Sequence, residues 1–233
     1  MQAALFLPRR APKVSVELLD PEHHEILVQG IRNVLSSQLA ETTMAQLVDG
    51  LPLASSGWEA RGSLIIGDHP LTKHETFCEG VINQTRAFRE AFDPAVLQFD
   101  SPVMQAYQNA EVGSAQFKMR LIELVAVAIH QIAVLLFQLE PKLHVGDINS
   151  VVMWKEEARW VTLEGGRRIY EEPLFEPRPT LFFHVDYLDH QQYPDGLADV
   201  AGYWAEDRIF GGVVLFDRGD SGYEMVQRHN TIR

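Results

Sequence analysis

The chain reads as an α+β fold in which N-terminal helices pack on a C-terminal, mostly antiparallel sheet. Three observations predict this. Apolar residues recur at helical spacing up to about residue 143. Beyond His144 the apolar segments become short, β-branched and aromatic, and glycine-containing turns separate them. Helices gathered in one half and strands in the other are the order of α+β rather than alternating α/β architecture. The 233 residues are therefore read as one domain, 1–233, with a helical half of about 14–143 and a sheet half of about 144–233.

Asp20 can cap a first helix, Pro21 suits its first position, and Glu22 and Glu25 sit in the positive first turn. Ile26, Leu27, Ile31, Val34, Leu35 and Leu39 continue it at helical spacing. A second short helix is expected over 43–48, stopped by Gly50 and Pro52. Residues 53–67, rich in serine and glycine around Trp58, have the composition of a mobile connection. Thr72 with Glu75 has capping-box spacing and predicts a helix that turns Phe77, Val81, Phe88 and Phe92 to the core. Irregular chain through Asp100, Ser101 and Pro102 then leads to a long helix of about 115–139, terminated by Pro141. Strands are expected at 150–154, 159–163, 180–186 and 209–216. Turns are expected at Gly165–Gly166, Tyr193–Gly196 and Gly219–Gly222, the last joining a strand of about 223–228. Residues 197–207 suit a helix and a strand almost equally. The long helix is apolar enough that the sheet is expected to cover one of its sides.

Composition excludes several classes. Thirty-two acidic residues against 20 Lys+Arg give a net charge of −12, and without a basic run nucleic acid is excluded as the main partner. Apolar and charged fractions of 46% and 22% exclude a disordered or coiled-coil chain. One cysteine excludes a disulfide framework and a multi-cysteine zinc site. Residues 121–137 form the most apolar stretch, but Glu123, His130 and Gln131 interrupt it, so a buried core helix is expected and no membrane partner. Arg9 and Arg10 follow the opening apolar residues, the reverse of a secretory signal, which predicts a cytoplasmic protein. A homo-oligomer stays open.

Chemistry is sought first at His184 and Asp186, which share a face if they lie on a strand. A carboxylate beside an imidazole holds one tautomer and raises its basicity, which suits a general acid/base, and Tyr187 could donate to a substrate carbonyl. The same pair supplies two ligands of a metal-binding pattern whose third would have to be His229, a poorer geometry. Asp189 and His190 fall in the loop beyond. The second place is the long helix. Glu123 and His130 lie seven residues apart, about 20° from eclipsed, among Leu, Ile, Val and Ala. Burying them requires pairing, or else they line a cavity. His69 with His74 is a weaker histidine pair at a loop-to-helix junction, and His23–His24 is weaker still. Cys78, beside Glu75 and Glu79, is a poor nucleophile. Nucleophile-elbow, Walker and dinucleotide-binding motifs do not occur. Trp154, Trp160, Phe182, Phe183, Tyr203, Trp204 and Phe210 would either line an apolar ligand cavity or fill the core.

Residues 203–218 (YWAEDRIFGGVVLFDR), with 193–196 (YPDG) before them, resemble a segment of uncharacterised proteins of filamentous fungi, and 120–131 (RLIELVAVAIHQ) is similar to their long helix. The resemblance implies an intracellular fungal protein of the kind enlisted in small-molecule biosynthesis. It carries no catalytic residue across.

The residues together lead to the expectation of a small-molecule enzyme of cyclase, isomerase or lyase type, acting on an apolar substrate without a cofactor. His184 with Asp186 would be its acid/base, Glu123 or His130 the counterpart, and Tyr187 the oxygen-polarising donor. The alternatives are a non-catalytic ligand-binding or interaction protein and, third, a non-haem metal enzyme using His184 and Asp186.

Overall fold

A computed structural model describes residues 11–59, 69–155, 157–171 and 177–216. It overturns the α+β expectation: the molecule is predominantly helical, and helices rather than a C-terminal sheet cover the long central helix. Strand pairing among the described residues is confined to two antiparallel ribbons. One joins β1 (Lys13–Ser15) to β2 (Gln98–Asp100), and the other joins β3 (Arg159–Thr162) to β4 (Arg168–Glu171) through the Gly165–Gly166 turn. In the second ribbon Trp160 packs at a tilt against Tyr170, 5.2 Å between ring centres, and the two residues are 59% and 52% exposed.

The N-terminal helices form where local chemistry supports them. In α1 (Pro21–Leu35) the Asp20 carboxylate accepts the backbone N–H groups of Glu22 and His23, two donors that no helical carbonyl can reach. Leu27, Ile31 and Leu35 form its buried stripe. Ser37 caps α2 (Gln38–Asp49), which ends at Gly50, whose φ of 105° is left-handed. Residues 54–59 form α3 (Ala54–Glu59), and residues 60–67 of the expected mobile connection lie outside the described residues. The capping box at Thr72 does not start a helix. Its hydroxyl donates to the His69 carbonyl inside a single 3₁₀ turn, Pro70–Lys73, and α4 (Val81–Ala91) begins only after Gly80. Beyond β2, α5 (Ser101–Gln108) runs into the turn before α6 (Ala115–Gln138), whose N-cap is Ser114.

Among the described residues, three of the five expected C-terminal strands are absent. Residues 150–154 overlap α7 (Ile148–Val152), begun by an Asp147 cap. Residues 180–186 have no ladder partner. Leu181, Phe182 and Phe183 are buried as irregular chain, and Phe182 meets the rings of Phe137 and Trp204 at 6.1 and 4.8 Å. Ile209 and Phe210 belong to α8 (Leu197–Phe210), which also decides the ambiguous 197–207 segment as a helix. The expected hairpin at 219–228 lies outside the described residues.

The reason α6 needs no sheet is now visible. Helix α8 packs along it most extensively, and α1, α5 and α2 flank it. One continuous hydrophobic cluster runs from Val16 through Leu27, Leu47, Tyr107, Ile129 and Ile132 to Trp204. Each such fully buried large side chain contributes roughly 1.5–3 kcal/mol by leaving water. By length and composition α6 could cross a membrane, and 56% of its most apolar window is buried against the protein.

Candidate functional site

Helix α8 brings two acids to α6. Asp199 and Glu206 are seven residues apart on α8, the same spacing that separates Glu123 from His130 on α6, so both acids lie on one helix face. His130 sits between them. Its Nδ1 is 2.6 Å from Glu206 Oε1 and its Nε2 is 3.0 Å from Asp199 Oδ1. Each acid is held further by a backbone donor: Asp195 N–H donates to Asp199 Oδ2 and Val214 N–H to Glu206 Oε2. Close approach of the helices needs Gly202, because a Cβ there would lie 2.6–2.8 Å from three atoms of the imidazole. Burial opposes charge on His130, but the hydrogen bonds and charges of Asp199 and Glu206 prevail and push its pKa up to about 9. At neutral pH this group is an imidazolium donating from both nitrogens.

Outward from His130 the site becomes aromatic. Tyr203 meets the imidazole edge-on at 4.7 Å, Tyr187 stacks on Tyr203 at 4.3 Å, and His184 lies 5.3 Å from Tyr187. Tyr193 leans on Tyr203 at 5.2 Å. Burial first, and nearby carboxylates second, raise the pKa of Tyr187, so its hydroxyl is a proton-bearing donor across the physiological range. His184 Nδ1 accepts the N–H of Asp186, and its Nε2 faces Asp207 Oδ1 at 3.7 Å.

The five residues singled out from sequence therefore divide. His130, Tyr187 and His184 form one continuous contact path over α8. Asp186 borders it, with its carboxylate 3.8 Å from His184 Nδ1 and 74% exposed. Glu123 is elsewhere: wholly buried, it is paired with Arg120 one turn earlier on α6. Sequence reasoning missed Asp199, Glu206 and Asp207, and it named Tyr203 only among the aromatics that would line a cavity or fill the core. The signal that could have found the two acids was their seven-residue spacing, which is informative only once 197–210 is taken as helix.

The metal set expected at His184 and Asp186 has its third member, His229, outside the described residues. A different group of potential ligands does converge: Asp49, His74, Cys78 and His144, beyond the C-terminal end of α6. His69 does not join His74 there. Its Nδ1 accepts the Leu71 N–H, and its ring packs on Trp154. No protein-family model, no curated protein and no solved structure matches the chain, so the reading of its function rests on this geometry.

Proposed function

We propose that the chain is a small-molecule enzyme of proton-transfer type, an isomerase, lyase or cyclase, that works at the His184–Tyr187 face with side chains alone. The observation that supports this reading is the convergence of one ionisable imidazole, two flanking carboxylates (Asp186 and Asp207) and one phenol beside the tyrosine stack. For His184 to act as a base, its proton must sit on Nδ1, facing the Asp186 carboxylate instead of the Asp186 amide. Nε2 then takes the substrate proton, and Asp207 stabilises the imidazolium so formed. Tyr187 donates to the substrate oxygen, and the tyrosine faces suit an apolar or aromatic body. His130 with Asp199 and Glu206 keeps α8, and hence Tyr203, in place.

A second reading, ligand binding without turnover, is favoured by one feature. The Asp186 amide already donates to His184 Nδ1 at 3.2 Å, and this stabilises the tautomer that cannot accept a proton at Nε2. Incubation with a panel of enolisable carbonyl compounds in D2O separates the two. Deuterium entering carbon next to the carbonyl is read by NMR for the wild type, His184→Asn and Tyr187→Phe. The catalytic reading expects exchange that falls at least about 100-fold in His184→Asn. Exchange unchanged in both variants, or tight binding of a panel member without any exchange, overturns it in favour of the second reading.

A further inference from the structure

We propose that Asp49, His74, Cys78 and His144 form a mononuclear transition-metal site, with zinc as the ion that fits its mixed donor set. This is independent of the chemistry assigned to His184. The four ligand atoms come from three segments far apart in sequence, at Asp49, His74–Cys78 and His144, yet all lie within 4.8 Å of one another.

Local structure assembles them. The last carbonyls of α2 are capped by the chain that leaves α6: Leu143 N–H donates to the Val48 carbonyl and His144 N–H to that of Asp49. Gly50 makes this approach possible, since a Cβ there would lie 2.7 Å from Ile148 and 3.0 Å from Lys142. On the other side the buried Gln46 accepts the Leu53 N–H, Ala54 N–H donates to the His74 carbonyl, and Cys78 N–H donates to Asp49 Oδ2. The Asp49 side chain is completely buried where these segments meet.

The separations approach those of ligands around one ion, with Asp49 turning a different oxygen to each imidazole. Zinc–sulfur and zinc–nitrogen bonds of about 2.3 and 2.05 Å at a tetrahedral angle put sulfur and nitrogen about 3.6 Å apart, and nitrogen and oxygen about 3.3 Å apart. Cys78 Sγ lies 3.6 Å from His144 Nδ1, which is 3.6 Å from Asp49 Oδ1, and His74 Nε2 lies 3.1 Å from Asp49 Oδ2. The longest separation, at most 4.8 Å, closes with about 1 Å of movement.

Proton accounting points the same way. His74 Nδ1 is 2.9 Å from the Pro52 carbonyl, which can only accept, so Nδ1 carries a hydrogen. A neutral His74 then turns the Nε2 lone pair towards a carboxylate oxygen, an arrangement that needs a proton or a metal between them. A carbonyl holding the far nitrogen is also how metal-bound histidines are commonly oriented. Asp49 Oδ1, on a side chain with no exposure, accepts no hydrogen bond, and an unsatisfied buried carboxylate oxygen is costly. Val145 N–H donates to Cys78 Sγ, as it would to a thiolate. One carboxylate, one thiolate and two neutral imidazoles balance a dication, and four protein ligands make a closed site of structural type. Bound metal would tie the end of α2, the chain before α4 and the chain after α6 together.

The test uses the full chain, purified under reducing conditions and stripped with a chelator. Zinc is measured by elemental analysis after re-addition and dialysis, and cobalt(II) is titrated as a spectroscopic probe. Expected are one equivalent of zinc and, with cobalt, the visible bands of a tetrahedral ion plus a near-ultraviolet thiolate charge-transfer band. Cys78→Ser should abolish that band, and His144→Gln should weaken zinc binding at least about 100-fold. His144 is less buried than Asp49, so this second variant keeps the test decisive if Cys78→Ser fails to fold. Failure of wild-type protein to retain zinc, or a cobalt spectrum that Cys78→Ser leaves unchanged, overturns the proposal.

Discussion

Replacing Gly202 by alanine sets two opposing effects against each other. Gly202 lies inside α8, where alanine is favoured over glycine by about 1 kcal/mol. If the residue were merely helical, the variant would be the more stable protein. The structure demands the reverse. The added carbon would lie 2.6 Å from His130 Cε1, 2.7 Å from Nε2 and 2.8 Å from Nδ1. The imidazole has no direction in which to yield. Glu206 and Asp199 hold its nitrogens at 2.6 and 3.0 Å, and Tyr203 stands against it at 4.7 Å. Displacing the ring breaks a buried ion arrangement, which costs about 3–5 kcal/mol. Subtracting the helix-propensity gain leaves a net loss of about 2–4 kcal/mol. Urea unfolding, with wild type and variant compared at equal slope, measures this as a lower midpoint. A double-mutant cycle with His130→Ala locates the effect, because without the ring most of the alanine penalty should vanish. An unchanged or raised midpoint for Gly202→Ala would refute the account of a locked imidazole at the α6–α8 contact.

Stability should also fall with pH. A folded-state pKa of about 9 for His130 against 6.5 in a free histidine gives a contribution fully present below 6.5 and lost as pH rises towards 9. The loss is about 3 kcal/mol in all, and a urea series from pH 6 to 9.5 should show it in wild type but not in His130→Gln. Asp20→Ala should lower stability by about 1 kcal/mol, since two first-turn N–H groups lose their acceptor. Arg120→Ala, which weakens the pairing of buried Glu123, should lower it by about 1.5–3 kcal/mol in the same assay. Trp204→Ala, emptying a buried contact with Phe182, should lower it by about 3–5 kcal/mol. A midpoint unmoved by any one of these replacements would count against the role given to that residue.

In the N-terminal half α1 and α6 were legible because their signals are local, whereas the chain around Ser101–Pro102, read as irregular, opens α5, and Leu39, read with the first helix, belongs to α2. Asp20 with Pro21, the apolar stripe of α1 and the length of α6 each depend on residues within a few turns of one another. The Thr72–Glu75 spacing misled because the nearby chain prefers another use of the same groups. Pro70 and the His69 ring set a 3₁₀ turn, and Gly80, at a φ of 85°, resets the chain before α4 can begin. The C-terminal half misled for a different reason. A short apolar run such as 180–186 has the same texture whether it pairs in a ladder or is pinned as irregular chain by its side chains. Phe182, lodged between α6 and α8, shows the second outcome. Among the described residues only the run at 159–163, where a tight glycine turn lets the following segment pair locally, became a strand.

Visibility of the chemistry follows from the same distinction. Glu123 and His130 stood out as polar residues on an apolar helix, but their partners could not be assigned while 197–207 was undecided between helix and strand. As a strand, Asp199 and Glu206 would project from opposite faces. As a helix they share the face that meets His130, so one secondary-structure decision converts two ordinary acids into the clamp that fixes the α6–α8 contact. The Asp49–His74–Cys78–His144 group left no such trace. Its ligands are separated by 25, 4 and 66 positions, and it exists only because the chain after α6 returns to cap α2. Periodicity could in principle have exposed the first site, whereas the second depends on tertiary closure that no local spacing encodes.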